Sequence, residues 1–173
     1  MMLRTGETDM DVKGFTLLEM LAALMVMAVL VMGTSHFNRQ WLPRQRVIAA
    51  SNGVLGLIQR ARAEAYTSGP VSLCDGNSRC DAFGTTRRLL LATTPPGSGA
   101  IGADDIIERY TLPPNTTLTW NRFRGTALHY GARGNLFYQN GHFLICNRGQ
   151  ARKVVINVLG TARIEAGDAS GCP

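Results

Sequence analysis

Apolar residues follow three regimes along this chain. From Phe15 to Met32 they are continuous, broken only by Thr16 and Glu19. From Val47 to Ala65 they return every three or four positions, at Val47, Ala50, Val54, Leu57, Ala61 and Ala65, with Arg46, Gln59, Arg60 and Arg62 on the other side. Beyond Val71 they come in short clusters rich in β-branched and aromatic side chains, separated by Gly, Pro or Asn. The first pattern predicts a helix apolar on every face. The second predicts a helix with one buried face, and the third a series of strands.

The first run is about the minimum that spans a ~30 Å hydrocarbon core. Nothing later in the chain approaches it, so at most one membrane segment is expected. Pro43 removes a backbone donor between the two helical patterns and predicts a bend near Gln40–Leu42 within one long helix over 15–67. Ser68-Gly69-Pro70 stops that helix. The stretches VSLC, RRLLLAT, IIERYTL, TLTW, NLFYQ, HFLIC and KVVINVL read as strands. Asn140-Gly141 lies between two of them and predicts a type I′ hairpin turn. TTPPGSGAIGADD reads as an exposed loop. The expected fold is α+β: antiparallel strands wrapped on the amphipathic half of a long N-terminal helix. The expected organisation is a leader at 1–14, an apolar half-helix at 15–43 and a globular domain at 44–173.

The polar leader changes how the apolar run is read. It carries Arg4 and Lys13 against Glu7, Asp9 and Asp11, and no small-residue cleavage site follows Met32. The run is therefore retained rather than removed as a secretory signal would be. The candidate cleavage point lies on its other side, after Gly14, a residue with no side chain at the scissile carbonyl. Cleavage there gives Phe15 a free amine at the tip of a helix. A lone carboxylate in an apolar helix is costly and has a partner as a rule. One subunit's Glu19 could meet the next subunit's terminal amine and set the register of a helix bundle. The other reading places Glu19 in the headgroup region.

Charge on the remainder is net basic; over all 173 residues it is +6. Arg39, Arg44 and Arg46 follow the apolar run, so the positive-inside rule does not orient it. Every basic residue except Lys13 and Lys153 is arginine. Guanidinium suits bidentate phosphate contacts, which makes Arg148, Arg152, Lys153 and Arg163 candidates for binding DNA. The cysteines, Cys74, Cys80, Cys146 and Cys172, form no C-x-x-C pair and have no histidine at zinc-ligand spacing. They suggest two disulfides and an oxidising compartment. Three connectivities are possible, and the local one, Cys74–Cys80 with Cys146–Cys172, is expected. His36, His129 and His142 are isolated, and no Ser-His-Asp or Cys-His set is visible. No metal, cofactor or enzymatic activity is expected; the chain is a substrate of an enzyme.

KGFTLLEMLAAL resembles the class III signal of type IV pilins and type II secretion pseudopilins: a basic residue, Gly14, Phe15, Thr16, Leu17, Leu18, Glu19 and a long apolar run. The resemblance implies a prepilin peptidase that cuts after Gly14 and N-methylates Phe15. It also implies a single-pass inner-membrane precursor with a periplasmic C-terminal domain, drawn later into a filament at the cell surface. VLGLIQRARAEAYTSGPVSLC and GNLFYQNGHFLICNRGQARKVVINVLGTARIE resemble the GspH/FimT group of minor pilins and pseudopilins. The cysteine of FLIC, with another near the terminus, is similar to the FimU/FimT side of that group. In the group the closing turn is often Gly-Arg-x-Arg; here it is Gly160-Thr161-Ala162-Arg163, with Thr161 at the first arginine position. The resemblance implies a minor pilin that primes assembly or sits in a pilus tip complex. Its implied partners are other minor pilins, the major pilin, the inner-membrane assembly platform and a tip adhesin. Two alternatives are a competence pilin that binds DNA for uptake and a pseudopilin of a type II secretion system.

Overall fold

The computed structural model describes residues 16–36, 40–76, 80, 84–93 and 101–173. The chain divides into two compact units, 1–39 and 40–173. In the first, helix α1 runs Leu17–His36. Thr16 starts it: the Glu19 backbone N–H donates to Thr16 Oγ1 at 3.3 Å, the N-cap bond that satisfies one orphan donor of the first turn. Every side chain described on α1, from Leu17 to Met32, is exposed. Among the described residues, no helix is long and apolar enough to cross a membrane. Leu17 to Met32 rises about 24 Å, short of a ~30 Å core. Phe15, at which the apolar run of the sequence begins, lies outside the described residues.

In the second unit, α2 (Leu42–Thr67) carries Pro43 in its first turn, where a missing N–H costs nothing because that donor has no intrahelical acceptor. The expected bend at Gln40–Leu42 turns on residues 37–39, which lie outside the described residues. The buried face of α2 is Pro43, Val47, Ala50, Ser51, Val54, Leu57, Ile58, Ala61 and Ala65, the stripe that helical spacing predicts. Its small residues let a sheet approach closely, and Ser51 Oγ satisfies itself on the Val47 carbonyl at 2.7 Å. On the other side, Arg60 reaches Glu108 at 3.0 Å.

The strands are β1 (Val71–Cys74), β2 (Thr85–Thr86), β3 (Arg88–Ala92), β4 (Ile106–Thr111), β5 (Thr117–Asn121), β6 (Leu128–Tyr130), β7 (Gly141–Asn147), β8 (Gln150–Ile156) and β9 (Ala162–Ala166). They form two antiparallel sheets, in the orders β4-β3-β1-β6 and β2-β5-β7-β8-β9. Helix α2 packs against both sheets. Alternation then decides each strand's inner residues: Leu118 and Trp120, Phe143 and Ile145, Val154 and Ile156 all join the core with Val54, Leu57 and Ala61. Trp120 meets the Phe143 ring edge-on, centroids 4.5 Å apart. Each fully buried large apolar side chain contributes roughly 1.5–3 kcal/mol, so this seam holds the helix to the sheet. The fold is α+β, as expected.

One hairpin is not where the sequence pattern put it. NLFYQ forms no strand; it supplies only an isolated bridge, Leu136 with Tyr130. Asn140-Gly141 is not a turn, because Gly141 opens β7 and pairs with Ile156. Glycine is needed there for closeness: a Cβ would sit 2.6 Å from the Asn121 carbonyl oxygen and 2.7 Å from the Phe123 ring. The two-residue hairpin falls instead at Arg148-Gly149, between Asn147 and its partner Gln150. Both central residues have positive φ, 44° and 76°, as a type I′ turn demands. Of the expected loop over TTPPGSGAIGADD, residues 94–100 lie outside the described residues, and Ile101 at its far end is buried.

Candidate functional site

The residues proposed for processing, Gly14 and Phe15, lie outside the described residues. Glu19 lies within them, in the first turn of α1 and exposed with the rest of that helix. Thr16 and Glu19 together make the T-x-x-E spacing of a capping box. The Thr16 half of that reciprocal pair is formed. The Thr16 cap was legible in the sequence and escaped the reading of it. A helix apolar all round and exposed all round has to be covered by lipid or by other chains, and Glu19 is the one charge on its described surface.

The four candidate DNA-binding cations do not converge. Arg148 sits in the β7–β8 turn, while Arg163 pairs with Val155 near the other end of β8. The run from Gln150 to Val155 is about 17 Å of strand. Arg152 alternates with the core residues Val154 and Ile156 and lies toward α2, beside Arg44. Only Lys153 and Arg163 share the outer face of the sheet. There they line a cleft of about 370 Å³ with Arg122, His142 and Glu165. Glu165 binds both: Lys153 Nζ at 3.0 Å and Arg163 Nε at 2.6 Å. These hydrogen bonds, Arg163 first and Lys153 second, hold the Glu165 carboxyl below the usual range. The cross-strand pairing Lys153↔Glu165 depends on the β8–β9 register, which the spacing of residues alone did not reveal.

That register is set by the closing turn. Asn157 Oδ1 accepts from the Leu159 and Thr161 backbone N–H groups at 3.1 and 3.0 Å, and Gly160 N–H donates to the Asn157 carbonyl at 2.9 Å. Thr161 itself is exposed.

Cys74 is bonded to Cys80 and Cys146 to Cys172. The first bond leaves from the edge of a small buried cluster with Leu90, Ala92, Ile101 and Ala127. The second ties the last turn of the chain to β7. His129 Nδ1 lies 2.9 Å from Ser72 Oγ across the β1–β6 pair, and burial lowers its pKa. His142 is also lowered, by burial first and then by Lys153 and Arg122. Among the described residues, no group of three or more His, Cys, Asp and Glu could hold a metal ion.

A further polar centre was invisible in the sequence pattern. Gln139, 5% exposed, donates through Nε2 to the Arg124 and Ala127 carbonyls, each at 2.6 Å. Its Oε1 accepts from the His129 N–H at 2.9 Å. One side chain thus fixes the segment between β5 and β7.

A long apolar N-terminal helix, a second helix laid on antiparallel sheets and a C-terminal staple define a pilin-like fold. Residues 50–160 match the family of the Type II transport protein GspH, and residues 9–35 match the prokaryotic N-terminal methylation motif. The chain belongs to the GspH family of type IV pilin-like minor pilins and pseudopilins. No curated protein compared with it matches the chain. Solved structures share the fold, among them the two that follow. The type IV minor pilin FimU of Pseudomonas aeruginosa is 21% identical, with 75% of this chain and 94% of that chain covered and a TM-score of 0.51. The minor pseudopilin EpsH from the Type 2 Secretion System of Vibrio cholerae is 16% identical, with 70% and 97% covered and a TM-score of 0.50. The methylation motif and the family imply a membrane-anchored precursor.

Proposed function

We propose that this chain is a minor pilin that primes a type IV pilus or sits in its tip complex. The observation that carries the reading is Glu19: a single exposed carboxylate in the first turn of a helix that is otherwise apolar and unpacked. Prepilin peptidase cuts after Gly14 and methylates Phe15. The helix holds the subunit in the inner membrane, with residues 44–173 in the periplasm, where both disulfides are stable. Glu19 then accepts the terminal amine of a neighbouring subunit, a charge pair made in a low-dielectric bundle. Other minor pilins, the major pilin, the assembly platform and a tip adhesin are its partners. The staple from Cys146 to Cys172 supports the pilus, since it matches the cysteine placement on the FimU/FimT side of the group.

The test is complementation of a deletion strain. Glu19→Val should be cleaved, with a mature N-terminus at Phe15 by mass spectrometry, and should insert. It should fail to restore pili. Wild-type piliation together with normal exoprotein release in Glu19→Val would reduce the residue to an interfacial carboxylate. A second reading, a pseudopilin of a type II secretion system, draws on the family match to a type II transport protein. The same strain separates the two: loss of exoprotein release with intact pili favours the pseudopilus.

A further inference from the structure

One end of the globular unit displays an apolar knob beside a basic cleft. Tyr138 is 88% exposed although its backbone sits at φ 53°, a conformation that is a genuine outlier for a bulky side chain. Strain of this kind persists only where the surroundings enforce it, and it clusters at functional positions. The enforcement is visible: Gln139, next in the chain, is locked by its three hydrogen bonds. On the other side, Leu136 N–H donates to the Val158 carbonyl at 3.1 Å. That bond ties the backbone before exposed Phe137 and Tyr138 to the turn that carries exposed Val158 and Leu159, the latter 64% exposed. The fold spends a buried glutamine and a strained backbone to hold an aromatic ring in water.

Charge says what could cover the knob. Residues 131–140 and 157–161 contain no Asp or Glu, and Arg133 lies among them. The neighbouring cleft adds Arg122, itself held at φ 62°, with Lys153 and Arg163 against the single carboxylate of Glu165. A second copy of this chain docking face to face would set Arg122 and Arg133 against their own counterparts. Single-stranded nucleic acid suits an aromatic ring flanked by arginine. However, Lys153 and Arg163 are already committed to Glu165, whose carboxylate would lie in the path of the phosphates. Val158 and Leu159 also give bases nothing to stack on. We infer that Phe137, Tyr138, Val158 and Leu159 form a docking knob for another protein, one that offers an apolar hollow edged by carboxylates.

The test uses the full chain in its host membrane, with a benzophenone amino acid in place of Tyr138 and irradiation. The expected result is a protein adduct whose cross-linked peptide contains apolar residues together with Asp or Glu. Leu159→Asp and Arg122→Glu should each cut the adduct by about tenfold or more, the effect of losing a central contact or an opposite charge. The thermal melt should not change, because both side chains are exposed. Adducts only to lipid, adducts only to a second copy, or no protein adduct would overturn the inference. So would protection of position 138 by an oligothymidine. The inference stands apart from the assembly role of Glu19. Repeating the experiment in the Glu19→Val chain separates them: the adduct persists there if docking is real and assembly fails.

Discussion

Loss of the Cys146–Cys172 disulfide should destabilise the globular unit more than loss of Cys74–Cys80, and the reason is loop length. The two bonds join residues separated by 26 and 6 positions. In the chain-entropy model, closing loops of those lengths stabilises by about 3.5 and about 2.2 kcal/mol at 25 °C. The structure adds no compensating penalty to the shorter bond. Cys74 is fully buried among apolar side chains, where a free thiol behaves as a small hydrophobe. The longer bond also holds the C-terminal turn against β7, where a Cβ at Gly171 would lie 3.1 Å from Leu144. With an unfolding entropy of about 2.1 cal/mol/K per residue over roughly 130 residues, the two losses correspond to about 13 and about 8 °C in Tm. The assay is a thermal melt of the full chain in detergent, followed by near-UV circular dichroism. It compares Cys146→Ala with Cys172→Ser against Cys74→Ala with Cys80→Ser, so that no odd thiol is left to exchange. Equal shifts, or a larger shift for the short loop, would refute the entropic argument. They would mean that local packing at Cys74, not chain closure, sets the worth of these bonds.

Gln139→Leu should cost about 2–4 kcal/mol, because it strands the His129 amide and two carbonyls; urea melts measure it. Stability should fall as pH drops below 6.5. Burial lowers the folded pKa of His129 and of His142, so the unfolded chain binds protons first, and the neutral forms stabilise the fold fully only above the unfolded value. Replacing both histidines by Gln should flatten that pH dependence, read as Tm between pH 7.5 and 5.5. Gly14→Glu should leave a full-length precursor in the membrane; a mature terminus at Phe15 in that variant would refute the cleavage site. Wild-type protein should show no salt-sensitive shift of duplex DNA. Glu165→Gln, which frees Lys153 and Arg163, should raise DNA retention at low salt, and a robust wild-type shift would reverse the ranking of roles.

The helical face from Val47 to Ala65 was readable because burial on a helix repeats at a fixed interval and little else competes for it. The disulfide partners were readable for simpler reasons: the short loop between Cys74 and Cys80 is rich in turn residues and closes easily, and Cys172 lies in the last residues, which fray unless tied down. The hairpin was misread because Asn-Gly carries a strong turn preference, while the actual turn places Arg148, a residue with a Cβ, in the left-handed region. Asn-Arg-Gly-Gln between two apolar runs was an available signal. What made Gly141 indispensable was the approach of Asn121 and Phe123, a long-range fact. The candidate cations were grouped by closeness in sequence. Strand alternation sent Arg152 to one face and Lys153 to the other, and the turn put Arg148 at the far end.

Gln139 has a consequence for how such a surface can change over generations. The stretch from Arg122 to Asn140 contributes only one short strand, β6, and besides its pairing with β1 a buried amide grips it from inside. Side chains that point outward from it, such as Phe137 and Tyr138, can be exchanged without disturbing either sheet. The frame and the recognition face are therefore separately mutable. Drift can rewrite what the subunit touches while its disulfides, core and register stay as they are.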